Sequence, residues 1–272
     1  MIKQDYFYET LQIDRTGQVI AKLTLTGYLY LEDLGKGIAL EMVSIPGGSF
    51  QMGSPVNHGY EDEHPQHFVN IQPFLMSKAP ITQAQWLRLM RPRPWRFKDH
   101  NRPVENVSWH QAVMFCEKLS KRTGRQYTLP SESQWEYACR AGTTGDFSFG
   151  PTLTSDVANY NGKFTYRDEP EGIYRHETNP AGDYPPNSFG LHDMHGGLWE
   201  WCADHWHDDY IGAPSDGSSW IQGGDQDHRI TRGGSWHDTP DVCRSAVRLK
   251  FPASAGEEIV GFRVSLLCPI ID

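Results

Sequence analysis

Arg232-Gly233-Gly234-Ser235-Trp236-His237-Asp238, followed by Cys243-Arg244-Ser245 and closed by Gly261-Phe262-Arg263-Val264, is the stretch that decides the reading of this 272-residue chain. Paired glycines mark a turn. Arg244, Arg248 and Arg263 read as structural groups that pair with carboxylates such as Glu200 or with loop carbonyls, as a partly buried guanidinium does well. Three further stretches precede it in order: Ile45-Pro46-Gly47-Gly48-Ser49-Phe50-Gln51-Met52-Gly53, then Leu129-Pro130-Ser131-Glu132-Ser133-Gln134-Trp135-Glu136-Tyr137-Ala138, then Gly196-Gly197-Leu198-Trp199-Glu200-Trp201.

Composition narrows the classes of function. With 38% hydrophobic and 22% charged residues the chain can enclose a sizeable core as one large domain or two small ones. A formal charge of -9 without a Lys/Arg cluster argues against nucleic acid as a partner, because that binding draws on neutralised phosphates. No apolar run approaches the roughly 20 residues of a membrane-spanning helix. Met1-Ile2-Lys3-Gln4-Asp5-Tyr6 has no basic-then-apolar leader, so the expectation is a cytoplasmic monomer with no membrane partner. Cys116, Cys139, Cys202, Cys243 and Cys268 are odd in number and lack CxxC spacing, which indicates neither a disulfide framework nor a zinc knuckle. Cys116 and Cys139 fall in helical patterns, as buried thiols would.

Alternation over residues 10 to 32 around Asp14-Arg15-Thr16-Gly17 predicts a β-hairpin. Leu40 to Met52 reads as strand, turn and strand, and Phe68 to Met76 as one more short strand. Thr82 with Gln85 makes a capping box for a helix that Pro92 ends, with Trp86, Leu87, Leu89 and Met90 on its apolar face. Ser108 caps a second helix that stops at Gly124, and Ser131 caps a third reaching Ala141. Beyond Gly142 the chain is rich in Gly, Pro, Asn and Asp with few regular periods. Such loops need aromatic packing or bound cations to order them. From the residues alone the result is an irregular α+β domain.

The four stretches together resemble the formylglycine-generating enzyme, or sulfatase-modifying factor, family over about residues 38 to 267. That resemblance implies a C-type-lectin-like α+β fold with little regular secondary structure and long ordered loops. It leaves residues 1–37 as an N-terminal hairpin extension ahead of a domain at 38–272. It also implies calcium, held by Asp193, the carbonyls of Gly196 and Leu198, and Glu200. A hard cation wants six to eight oxygens, and a compact loop can offer several. A first calcium site would use Asn159 and Tyr160, with its carboxylate somewhere in Asp168 to Glu171. The alternative for Glu200 is a carboxylate bonded to backbone amides in a tight loop.

Aerobic members of the family oxidise a client cysteine to formylglycine with copper(I) on two thiolates five residues apart. Counted from Gly233-Gly234-Ser235, those positions fall on Asp238 and Cys243. An Asp oxygen is a hard ligand and a poor substitute at a two-thiolate copper(I) site, so no copper and no catalytic assignment is expected. Cys243 stands as a candidate redox or nucleophilic thiol beside Arg244, or as part of a packed strand. His192, His195, His205, His207 and His237 invite a two-histidine, one-carboxylate iron site, but they lie on separate loops. No Gly-x-Ser-x-Gly elbow, P-loop or dinucleotide fingerprint occurs.

The altered site suits binding better than oxidation. Trp236, His237, Asp238, Thr239, Asp241, Val242, Val247, Leu249 and Phe251 are the candidate ligand residues, for an unidentified protein or peptide. The framework is also similar to the variable proteins of diversity-generating retroelements. Glu257-Glu258 and Ala253-Ser254-Ala255 do not look like products of an Asn-rich template, which favours an undiversified member. The competing class is an oxidase of a client cysteine or another small substrate with a remodelled metal site.

Overall fold

The computed structural model describes residues 1–267, so Cys268 lies outside the described residues. Twelve strands and three α-helices are present among them. In chain order they are β1 (Ile2–Ile13), β2 (Val19–Asp33), β3 (Ala39–Ile45), β4 (Gly48–Met52), β5 (His67–Ile71), β6 (Phe74–Ser77), α1 (Gln83–Trp86), α2 (Trp109–Thr123), β7 (Tyr127–Thr128), α3 (Glu132–Arg140), β8 (Trp199–Trp206), β9 (Asp225–Arg232), β10 (Arg248–Pro252), β11 (Val260–Gly261) and β12 (Ser265–Leu267). A six-stranded sheet runs β1-β2-β3-β6-β12-β7, a four-stranded one β10-β9-β8-β11, and β4 pairs with β5 alone.

Local chemistry accounts for most boundaries. Asp14 Oδ1 accepts from the Thr16 and Gln18 amides at 2.8 and 3.1 Å and sets the turn between β1 and β2. β2 then pairs with β3, which places the hairpin at the edge of the large sheet. All three helices start with full capping boxes, at Thr82, Ser108 and Ser131. α2 stops where Gly124 turns left-handed, and α3 at Ala141 in the same region.

Three expectations fail in detail. The first helix stops at Trp86, and Leu87 to Met90 continue only as turns, because the chain must bring Trp86 into a ring cluster with Phe115 and Phe262. Phe68 to Met76 is two strands, broken at Gln72-Pro73, since the chain crosses there from the two-stranded to the six-stranded sheet. Pro240–Cys243 is a 3-10 turn rather than a strand. The core lies around Trp86, Phe115, Trp199, Trp201 and Phe262, all essentially inaccessible. No helix among the described residues is long and apolar enough to cross a membrane.

Candidate functional site

α3 supplies Glu132, Trp135 and Glu136 at i, i+3 and i+4, so they leave one face of the helix together. Arg232 of β9 pairs with Glu136, and Arg248 of β10 grips Glu132 at 2.6 and 3.1 Å. Arg140 closes on Glu136 at 2.8 Å. Burial alone would raise the Glu132 carboxyl, yet Arg248 and Arg232 hold it below the usual range. Arg244 clasps Glu63 at 2.9 and 2.7 Å. The structural role expected for the arginines is what they perform.

The same chemistry engages Glu200, one of the expected calcium ligands. Glu200 is fully buried; Arg263 Nη2 donates to Oε1 at 2.7 Å, and Arg263 Nε and Trp135 Nε1 donate to Oε2 at 2.5 and 2.7 Å. An arginine fork and an indole thus take three of the roughly four acceptor sites of Glu200 and neutralise its charge within the protein. Tyr160 is buried with its hydroxyl on the Leu153 carbonyl at 2.8 Å, and the Gly196 carbonyl receives the Leu198 amide at 3.0 Å. Glu169 accepts from the Tyr166 and Arg167 amides and Thr152, while Asp168 meets Arg15 on the surface. Neither Asp168 nor Glu169 lines the cavity of Asn159.

Asp193 does. Asn159, Asn179, Tyr184, Asp193 and Leu198 line one cavity of about 20 Å³, room for a single water-sized sphere. Asn159 Oδ1, Asn179 Oδ1 and Tyr184 Oη are buried without a protein hydrogen-bond partner. Burial pushes the Asp193 carboxyl up to about 6, against one amide bond from Gly182 at 2.7 Å. Its backbone is left-handed at φ 58°, which an Asp tolerates better than most residues. Oxygen donors around a poorly compensated carboxylate fit a hard cation. Among the described residues no three or more His, Cys, Asp or Glu side chains gather as a metal cluster, so the donor set is one carboxylate with amide, hydroxyl and carbonyl oxygens. Sequence reasoning missed Asn179 and Tyr184, which sit in a loop without periodicity.

Beyond the Gly233-Gly234-Ser235 turn, Asp238 Oδ2 accepts from Trp199 Nε1 at 2.8 Å and Ser235 Oγ at 2.5 Å. Cys243 is inaccessible, its sulfur 3.6 Å from the Thr239 carbonyl. Burial, then Asp238 and Asp241, push its thiol well above the ordinary range. A Cβ on Gly234 would come within 2.5 Å of that sulfur, so the glycine turn presses directly on it. Cys116, Cys139, Cys202 and Cys243 are all buried and unbridged. The histidines separate: His195 Nδ1 bonds the Cys243 carbonyl at 2.9 Å, whereas His192 Nδ1 bonds that of Tyr184 at 2.7 Å.

The candidate ligand segment is divided rather than gathered into one pocket. Trp236 and Val247 are core residues, Val242 and Phe251 pack against the core, and Thr239 bonds Asp241, which also accepts from Tyr60. Leu249 lies on β10, 36% exposed. His237 is exposed and joins the Tyr174 hydroxyl at 2.8 Å. Its ring neighbours Tyr174 and Trp236 carry the cluster further, to His176, 3.7 Å from the Tyr174 ring, and to Phe97, edge-on to Trp236 at 5.6 Å.

These sheets, long ordered loops and loop-borne sites define a C-type-lectin-like protein of the formylglycine-generating type. Residues 35–266 match the model of the sulfatase-modifying factor enzyme 1-like domain, and the chain belongs to that family. It is 28% identical to the inactive C-alpha-formylglycine-generating enzyme 2 of Bos taurus, over 90% of this chain and 94% of the relative. It is 27% identical to the formylglycine-generating enzyme of Thermomonospora curvata, over 83% and 93%. The solved structure of PvdO from Pseudomonas aeruginosa superposes with a TM-score of 0.76 at 32% identity, covering 88% of this chain and 98% of PvdO.

Proposed function

We propose that this protein is a family member without copper-dependent oxidation, which recognises a protein or peptide ligand at the surface around His237 and carries a calcium ion in the Asp193 cavity. The observation that supports the first part is the bonding of Asp238. Its carboxylate is committed to Trp199 and Ser235, and the neighbouring thiol of Cys243 is buried and held protonated. Copper(I) selects soft thiolates, and a protonated thiol beside a hydrogen-bonded carboxylate is not that ligand pair. The ring-lined surface of Tyr174, His176, Phe97 and His237 has apolar faces and polar edges, the chemistry that peptide ligands engage. Calcium in the cavity would supply charge to Asp193 and order the loops beneath that surface. Asp193, Asn159 and Asn179, with Tyr184 and the Leu198 carbonyl nearby, would hold it.

The test is copper(I) loading of purified protein with metal quantified by mass spectrometry, beside Cys243→Ala. The expected result is no stoichiometric copper in either. Copper bound by the wild type and lost in the variant would return the protein to the oxidases and overturn the reading.

A further inference from the structure

The hairpin of β1 and β2 precedes the stretch matched by the family model, which begins at residue 35. Its outer face is left to solvent, with Phe7 69% exposed. Its inner face grips the loop that leads into Asp193. Tyr8 Oη donates to the Ser188 carbonyl at 2.9 Å, and Tyr6 Oη lies 3.3 Å from the Gly190 carbonyl and 3.2 Å from His192 Nε2. The two tyrosine rings stack at 4.7 Å. A Cβ on Gly190 would fall 2.6 Å from the Tyr6 ring, so only glycine lets the loop lie this close.

His192 is the joint. Its Nδ1 is 2.7 Å from the Tyr184 carbonyl, which can only accept, so Nδ1 carries the proton and Nε2 is left to accept from Tyr6. Its own amide donates to the Lys78 carbonyl at 2.9 Å, and its carbonyl accepts from Arg263 at 3.0 Å. One imidazole thus ties the Tyr184 wall of the cavity to the residue before Asp193, and the Tyr6 hydroxyl fixes that ring. Lys78, bonded to Glu41 at 3.1 Å, stands 5.3 Å over the Tyr6 ring and holds the tyrosine in turn.

We infer that the N-terminal hairpin is a clamp that pre-orders the cation cavity, with Tyr6 as its positioning residue acting through His192. The inference rests on the reading of the Asp193 cavity as a calcium site. Groups that orient a metal ligand from behind typically change affinity by about 10–100-fold when removed. Preorganisation also has a signature independent of metal, the exchange rate of amides bonded within the cavity wall.

The experiment compares wild type, Tyr6→Phe and, on the outer face, Phe7→Ser, by calcium titration calorimetry and by hydrogen exchange in EDTA. Tyr6→Phe is expected to weaken calcium binding by about tenfold. In EDTA it should also speed exchange at Gly182, whose amide bonds Asp193, and at His192. Phe7→Ser should change neither. Should Tyr6→Phe prove unstable, Tyr8→Phe, which frees the same loop from Ser188, carries the same prediction at smaller size. Wild-type exchange rates or an unchanged calcium affinity in Tyr6→Phe would overturn the clamp. A wild type that takes up no calcium would instead overturn the calcium reading, and the affinity claim with it.

Discussion

Glu200, fully buried on β8, and Asp193, half-buried in the loop before it, are treated in opposite ways. Glu200 has an arginine fork and an indole on its two oxygens. Asp193 has one backbone amide, no arginine partner, and a cavity shared with orphaned amide and hydroxyl oxygens. A buried carboxylate must be neutralised by a fixed cation, a proton or a bound ion. The contrast separates a carboxylate that the fold neutralises with its own arginine from one that it leaves with a single amide.

Removing the fixed cation should have the largest effect. Arg263→Ala leaves Glu200 buried and unpaired, at a cost of about 3–5 kcal/mol in urea unfolding. A loss below about 1 kcal/mol would mean that the arginine does not support the carboxylate. Next comes the bound ion: at free calcium 100 times Kd, the wild type should gain about 2.7 kcal/mol over EDTA. Asp193→Ala should abolish that gain, read as the difference in unfolding midpoint with and without calcium. Persistence of the gain in Asp193→Ala would place any calcium elsewhere.

Glu105 offers the smallest effect and isolates the proton. It is buried, with Oε1 on the Arg96 and Phe97 amides and Oε2 without a partner, and burial pushes its carboxyl from 4.5 up to about 7. The folded state therefore holds this proton more tightly than the unfolded one. The stability it contributes is complete below about pH 4.5 and is lost as pH rises through about 7. Relative to Glu105→Gln, the wild type should lose about 1–2 kcal/mol across that window, discounted from the full shift because Arg96 and Glu258 nearby are exposed. Parallel pH curves for the two proteins would show that Glu105 carries no such proton.

Much of the scaffold was legible because its signals are local. Thr82, Ser108 and Ser131 announce the helix starts, and Asp14 to Gly17 the hairpin. The departure at Asp238 was equally plain, since a residue type at a counted position needs no coordinates. The candidate cation site was half legible. Asn159 and Asp193 were named, but as members of separate sites, and Asn179 and Tyr184 carry no spacing signal.

By itself the sequence determined the family framework, the capped helices and the presence of Asp238 rather than a thiol ahead of Cys243, because each follows from residue identity at short range. Tertiary structure alone decided which carboxylate each arginine reaches and which oxygens are left over. It also decided that Trp236 and Val247 belong to the core while His237 faces outward. Those outcomes depend on competition among distant groups for the same buried partners. Arg263 reaches Glu200 across 63 positions of chain, and no local pattern records that it leaves Asp193 without a bonded arginine.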